Sequence, residues 1–363
     1  MNIAILLPDL RGGGAERVMV DLAGEFARLG YNVEFVLMRA QGEFLEDARK
    51  TFSIDELGVG RVRFAPLSIA RYLRCKRPAA VIANMWPLTS AAVIGRVLAG
   101  YTGRLLLVEH TTLSRSYASW GKPHAMMLAA SMATTYRFAD CVAAVSEGVA
   151  QDTARLARLT TNQVNVIHNP IPQRLEPDRE ARSKLDALWG CPPGRRILTV
   201  GALKAAKNHR LLVEAFANMQ DPAARLMLLG QGEGEAALRD FVSALGIRDR
   251  VIFAGFQLDP TPFYATADLF VLSSDYEGLP TVLIEALSFG LPVVSTDCPS
   301  GPSEILENGR FGRLVPVGDA CALSAAMSEV LESTVDREAL TNRSKDFLPE
   351  IAARKYLDLL SFS

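Results

Sequence analysis

Twelve short runs of β-branched or leucine-rich residues punctuate this chain. They lie at 2–7, 33–38, 79–83, 104–108, 141–145 and 164–167, and again at 196–200, 225–229, 251–254, 268–272, 292–296 and 312–315. Stretches with apolar residues at helical spacing, such as 15–29 and 233–245, separate them. Strands that are apolar throughout are buried on both faces, which requires helices crossing between parallel strands. Twelve strands are too many for one comfortable sheet, and they divide evenly about the midpoint. The pattern predicts an α/β chain of two Rossmann-like doubly wound domains with right-handed crossovers. A length of 363 residues agrees with two domains.

The boundary is marked by proline. Residues 170–193 hold Pro170, Pro172, Pro177, Pro192 and Pro193 beside Gly190, which breaks both periodicities and reads as a linker followed by a short helix. The predicted division is a first domain over 1–170, a linker over 171–195 and a second domain over 196–345. A C-terminal helix at about 349–363 has apolar residues at helical spacing and is expected to return to the first domain.

The formal charge of −1 argues against a nucleic-acid partner. It hides an uneven distribution: residues 1–170 carry 19 basic and 14 acidic side chains, the remainder 20 and 26. From Arg61 to Val108 there are eight basic residues and no acidic one. On one face these would favour an anionic membrane surface or a diphosphate-linked lipid; a solvated face is the plainer alternative. The five cysteines lack zinc-ligand or redox spacing, which fits reduced thiols in a cytoplasmic protein. The uncharged stretch from Pro78 to Gly95 is interrupted by Pro87, and reads as a strand, a turn and a helix rather than a membrane span.

Candidate chemistry gathers where strands end. Arg11-Gly12-Gly13-Gly14-Ala15-Glu16-Arg17 joins the first strand to a helix, where glycines permit close backbone approach and a helix N-terminus favours an anion. The spacing is not that of a dinucleotide fingerprint, and the second strand ends in Met38-Arg39 without the acidic residue for a ribose. Gly230-Gln231-Gly232-Glu233-Gly234 follows another strand, serving either loop geometry or a ligand. Lys207 lies in the strand–helix connection 200–209, and His110 follows the strand 105–108. The densest segment is Glu277-Gly278-Leu279-Pro280-Thr281-Val282-Leu283-Ile284-Glu285. Pro280 suits a first helical position, the amides near Leu279 to Val282 suit phosphate, and two glutamates eight residues apart are expected to face one cleft. There is no Asp-x-Asp to hold a divalent metal.

Taken in order, these segments resemble the family-4 glycosyltransferases. The matching residues are Gly12 to Arg17, Glu109-His110, Asn169-Pro170, Lys207-Asn208-His209, Glu277 to Glu285, Asp297 to Leu306 and Gly312 to Asp319. The resemblance implies the GT-B arrangement, two Rossmann-like domains facing across a cleft. It implies retaining transfer from a nucleotide-diphosphate sugar, UDP preferred, without an obligatory metal. Glu285 would bind the donor ribose and Glu277 the sugar hydroxyls. Lys207 and the amides after Gly278, with Leu279, Pro280 and Thr281, would meet the diphosphate. Gly13 and Gly14 would close on the donor, His110 would lie near the reacting carbon, and Glu16 would serve the acceptor side. The family's common arginine is replaced by Ala202, and Lys204 is expected to compensate. The acceptor would be a glycan or a polyprenyl-diphosphate carrier at the inner face of a membrane. A sugar-nucleotide epimerase, or a nucleotide-sugar sensor without transfer, are the competing readings.

Overall fold

The computed structural model describes residues 1–173, 177–190 and 195–361. Cys191, Pro192 and Pro193 of the expected linker lie outside them, as do the last two residues of the expected C-terminal helix. The chain forms two compact units, Met1–Pro172 with Leu348–Ser363, and Gln173–Phe347.

The first unit contains seven parallel strands: β1 (Asn2–Leu7), β2 (Asn32–Leu37), β3 (Ser53–Glu56), β4 (Ala80–Asn84), β5 (Arg104–Glu109), β6 (Cys141–Ala144) and β7 (Val164–Val166). Their order is β3-β2-β1-β4-β5-β6-β7. The sequence pattern predicts six here and misses β3. Ser53-Ile54-Asp55-Glu56 has a single apolar residue, because an edge strand is covered less and needs no apolar run. Its ladder with β2, from Glu34 opposite Ser53 to Leu37 opposite Glu56, supplies what the pattern lacks. The core unites Ile3, Ile5 and Leu7 of β1 with Phe26 of the helix Gly14–Arg28 and Tyr356 of the helix Pro349–Leu359. Phe26 and Tyr356 meet edge to face at 6.3 Å, and Cys141 Sγ donates to the Leu359 carbonyl.

Six parallel strands form the second unit: β8 (Arg196–Val200), β9 (Arg225–Leu229), β10 (Val251–Gly255), β11 (Leu269–Leu272), β12 (Val293–Thr296) and β13 (Arg313–Val315). The order is β10-β9-β8-β11-β12-β13. Ile197, Leu226, Leu228, Leu269, Val271 and Val294 centre its core, with Leu212, Phe216 and Met327 from covering helices.

In each sheet the strand order reverses once, between β1 and β4 in the first and between β8 and β11 in the second. Connections leaving the two strands at such a point go to opposite faces, which opens a crevice at their carboxyl ends. The fold thereby assigns each unit one place for a ligand.

Candidate active site

In the second unit the loops after β8 and β11 meet although some 70 residues separate them in sequence. The Asp275 amide donates to the Ala206 carbonyl (2.9 Å), Ser273 Oγ to the Lys207 carbonyl (3.0 Å), and Asn208 Nδ2 to Asp275 Oδ1 (2.7 Å). Asn208 also caps the helix His209–Asn218 by accepting from the Leu211 amide. That leaves His209 as the first helical residue, buried, with burial pushing its pKa down to about 4. This scaffold sets Lys207 Nζ 2.6 Å from Glu277 Oε1, which also accepts from Ser274 Oγ at 2.6 Å. Both charged side chains are largely shielded, so little solvent weakens the pair.

Glu285 lies on the buried side of the helix Thr281–Ser288 and accepts from Tyr264 Oη at 2.8 Å. Tyr264 is itself fixed by a parallel stack on Phe289. One local expectation needs correction here. Pro280 precedes the helix rather than opening it, while Glu277 lies ahead of the helix as expected, in the loop after β11. Pro280 also has no N–H to offer, and Leu283 donates to the Pro280 carbonyl, whereas the amides of Leu279, Thr281 and Val282 make no hydrogen bond among the described residues.

The segment Pro299–Gly301 braces this loop. Ser300 Oγ donates to the Gly278 carbonyl at 3.0 Å, and Glu277 N to the Pro299 carbonyl. Gly301, at φ +101°, has no room for a Cβ, which would strike Pro280 Cδ and lie 3.0 Å from Leu279 Cα. The second glycine cluster is explained by backbone approach as well. A Cβ on Gly232 would come within 2.5 Å of the Leu203 carbonyl oxygen, while Leu203 N donates to Gln231 O and Gly234 N to Leu203 O. Ala202 and Lys204 are exposed on the loop so held.

At the first unit's reversal point, β4 and β5 deliver a buried polar set. Glu109, fully buried, accepts from the Trp86 amide (3.1 Å), Thr89 Oγ1 (3.0 Å) and Tyr136 Oη. Burial pushes its carboxyl up to about 7 against these hydrogen bonds. Asn84 Nδ2 donates to the carbonyls of Leu6 and Ile82, so its Oδ1 must be the atom 2.9 Å from His110 Nε2. That requires a proton on Nε2 and leaves Nδ1 as a bare acceptor, a buried atom with no partner among the described residues. Burial also holds the imidazole neutral, at a pKa of about 4. Placing a carboxylate on Nε2–H would favour the imidazolium. Asn84→Asp is therefore expected to raise the His110 pKa above that of the native protein, read by imidazole 15N shifts against pH. An unchanged titration would contradict the Nε2–H assignment.

In the glycine loop the acidic side chains are already engaged. The Gly12 amide donates to Glu43 Oε2 at 2.7 Å, and a Cβ on Gly13 would strike the Glu16 carboxylate. Gly14 begins the helix, whose first turn carries Glu16.

The structure thus gathers Lys207, Glu277 and the amides of Leu279, Thr281 and Val282 around one reversal point, with Glu285 in the following helix, and sets His110 after β5, next to the other. Sequence reasoning missed Ser274, Tyr264, Asn84 and the structural part of Glu109. An asparagine ending the otherwise apolar strand β4, and serines directly after the apolar strand β11, were available signals for Asn84 and Ser274, whereas nothing in sequence links Tyr264 to Glu285.

Two parallel sheets, each doubly wound with a single reversal of strand order, are the components of the GT-B fold of glycosyltransferases. The chain belongs to the group 1 glycosyltransferases: residues 192–347 match the model "Glycosyl transferases group 1", and residues 12–174 match "Glycosyltransferase Family 4". It is 27% identical over 97% of its length, and 96% of the other chain, to the lipopolysaccharide core biosynthesis glycosyltransferase LpsE of Rhizobium meliloti. It is 26% identical, over 95% and 94% of the two chains, to a Campylobacter jejuni 4-alpha-N-acetylgalactosaminyltransferase named for a diphospho-undecaprenol-linked acceptor. Among solved structures, Anabaena HepE in complex with UDP-glucose shares the fold, with a TM-score of 0.87, 21% identity and all of both chains covered.

Proposed function

We propose that this glycosyltransferase moves a sugar from a UDP-sugar, with retention, to a glycan or polyprenyl-diphosphate-linked acceptor in surface-polysaccharide assembly. The observation carrying the reading is the Lys207–Glu277–Ser274 cluster beside the open amides of Leu279, Thr281 and Val282. Fixed positive groups at one point suit a leaving diphosphate, where negative charge develops as the glycosidic bond to the donor breaks. They offer charge stabilisation there without an obligatory metal. Glu277, tethered by Lys207 and Ser274, is suited to accept from sugar hydroxyls, and Glu285, oriented by Tyr264, from the ribose. Lys204 is read as a second cation toward the diphosphate. In the first unit His110 presents its bare Nδ1 to a substrate hydroxyl, Gly13 and Gly14 form a donor-facing turn, and Glu16 serves the acceptor.

The relatives' names support the nucleotide and acceptor classes: solved neighbours hold UDP and UDP-glucose, and the Campylobacter jejuni enzyme is named for a polyprenyl-linked acceptor. The first unit is read as the side that approaches an anionic membrane.

The test is a thermal-unfolding panel of UDP, GDP and ADP and their sugar conjugates. A ligand at 100 times its Kd stabilises by about 2.7 kcal/mol, enough to raise Tm by several degrees. UDP conjugates are expected to give the largest shift. No response to any nucleotide sugar would defeat the donor assignment.

A further inference from the structure

Between Leu57 and Phe138 the chain carries eleven Lys and Arg and one acidic residue, Glu109. Glu109 is fully buried, so these 82 residues expose no carboxylate at all. The same stretch carries nine exposed large apolar side chains, whereas the other described residues together carry seven. They occur on the helices Ala65–Lys76, Leu88–Ala99 and Lys122–Thr135 and at their ends, and these helices pack side by side in that order.

The packing explains the exposure. Gly95 lies so close to the first helix that a Cβ would come within 2.7 Å of Ile69 and 3.1 Å of the Pro66 carbonyl. That close contact uses the inner faces of both helices. Phe64, Leu67, Arg71 and Arg74 then recur at helical spacing on the outer face of the first helix, and Ile94, Val97 and Leu98 on that of the second. Arg74 reaches the Leu98 carbonyl, so the two stripes adjoin. Leu67 is 71% exposed, Val97 66%, Met126 72% and Trp120 63%. Arg63 and Arg137 lie over Phe64 and Phe138. Not every cation counted in sequence takes part: Lys76 is paired with Glu34, Arg96 with Asp140, and Arg104 donates to Ser361.

We infer that this three-helix face docks on an anionic lipid surface, Leu67, Val97 and Met126 entering between headgroups while Arg61, Arg63, Arg71, Arg77, Lys122 and Arg137 engage lipid phosphates. This rests on, and deepens, the membrane side of the function proposed above. Charge complementarity selects lipid over a second copy of the chain, since two such faces would oppose cation to cation without a carboxylate between them. Apolar insertion and basic attraction together give stable yet reversible binding.

The test uses the full chain with vesicles of phosphatidylcholine alone and of phosphatidylcholine with phosphatidylglycerol. Expected are preferential co-sedimentation with the anionic vesicles and quenching of Trp120 by brominated lipid, since Trp86 and Trp189 are buried. The double substitution Leu67→Glu with Val97→Glu should weaken vesicle binding at least about tenfold, with UDP-induced stabilisation and melting unchanged. Because both sites are exposed, the same charges at Leu245 and Leu258 serve as a matched control expected to leave binding intact. Equal binding to neutral and anionic vesicles, or a double variant that binds like the native chain, would overturn the inference. So would a dimer in solution that the double variant abolishes. Vesicle binding without any UDP response would uphold this surface and defeat the donor reading alone.

Discussion

Replacing Lys207 by alanine is expected to lower kcat about 10²- to 10³-fold while raising the donor KM much less, the size seen when one fixed oxyanion-stabilising group is removed. Ground-state diphosphate already carries its charge, and the charge added on bond breaking is what a fixed ammonium stabilises most. Lys207 is pre-positioned by the loop contacts of Ser273, Asp275 and Asn208, so little reorganisation accompanies the reaction. Its partner Glu277 keeps Ser274 Oγ in the variant. The measurement is release of UDP from a UDP-sugar under single-turnover conditions, with thermal unfolding in parallel. A merely structural ion pair predicts the opposite split, a lower Tm with turnover preserved. Lys207→Arg is a useful companion, because a planar guanidinium does not reproduce a point charge on a flexible stem.

Glu285→Gln is expected to weaken UDP binding about 10- to 100-fold, since hydrogen bonds to a charged group contribute about 1.5–3 kcal/mol. Glutamine keeps an amide oxygen for Tyr264 Oη, so the variant should fold with nearly native stability. Glu285→Ala removes the carboxylate that accepts from the buried Tyr264 hydroxyl, which adds a stability loss of about 1–3 kcal/mol. Titration calorimetry with UDP separates the two effects: affinity falls in both variants, melting temperature chiefly in the second. Retained affinity in Glu285→Gln would remove Glu285 from the donor site.

How much of this was legible depends on which force held each residue. The strands of the two sheet centres were readable because burial on both faces imposes unbroken apolar runs, such as Leu226 to Leu229. The edge strand Ser53–Glu56 was not, because its position is stabilised by a ladder to β2 rather than by its own side chains. Likewise the connection from β4 reads correctly as strand, turn and helix, since Pro87 and the apolar spacing are local signals. The start of the helix Thr281–Ser288 shows the limit of local signals. Pro280 matches a first helical position in type, yet it stands just before the helix, packed close against Gly301.

The sequence by itself determined the class of fold, the alternation of strand and helix, and the residue types capable of binding an anion or a hydroxyl. Those properties follow from periodicity, glycine placement and charge, which are written locally. Only the tertiary structure decided which of them meet. Lys207 and Glu277 are neighbours because β8 and β11 adjoin at the reversal of the second sheet, across 70 residues of chain. His110 has a defined tautomer because Asn84, on the adjoining strand, spends its own donors on two backbone carbonyls. The basic run from Arg61 onward is likewise divided by packing, which pairs Lys76 and Arg96 with carboxylates and leaves Arg63 and Arg71 outward beside Leu67. Pairing across strands and helices is a non-local choice made by the burial of the whole core, and composition carries no record of it.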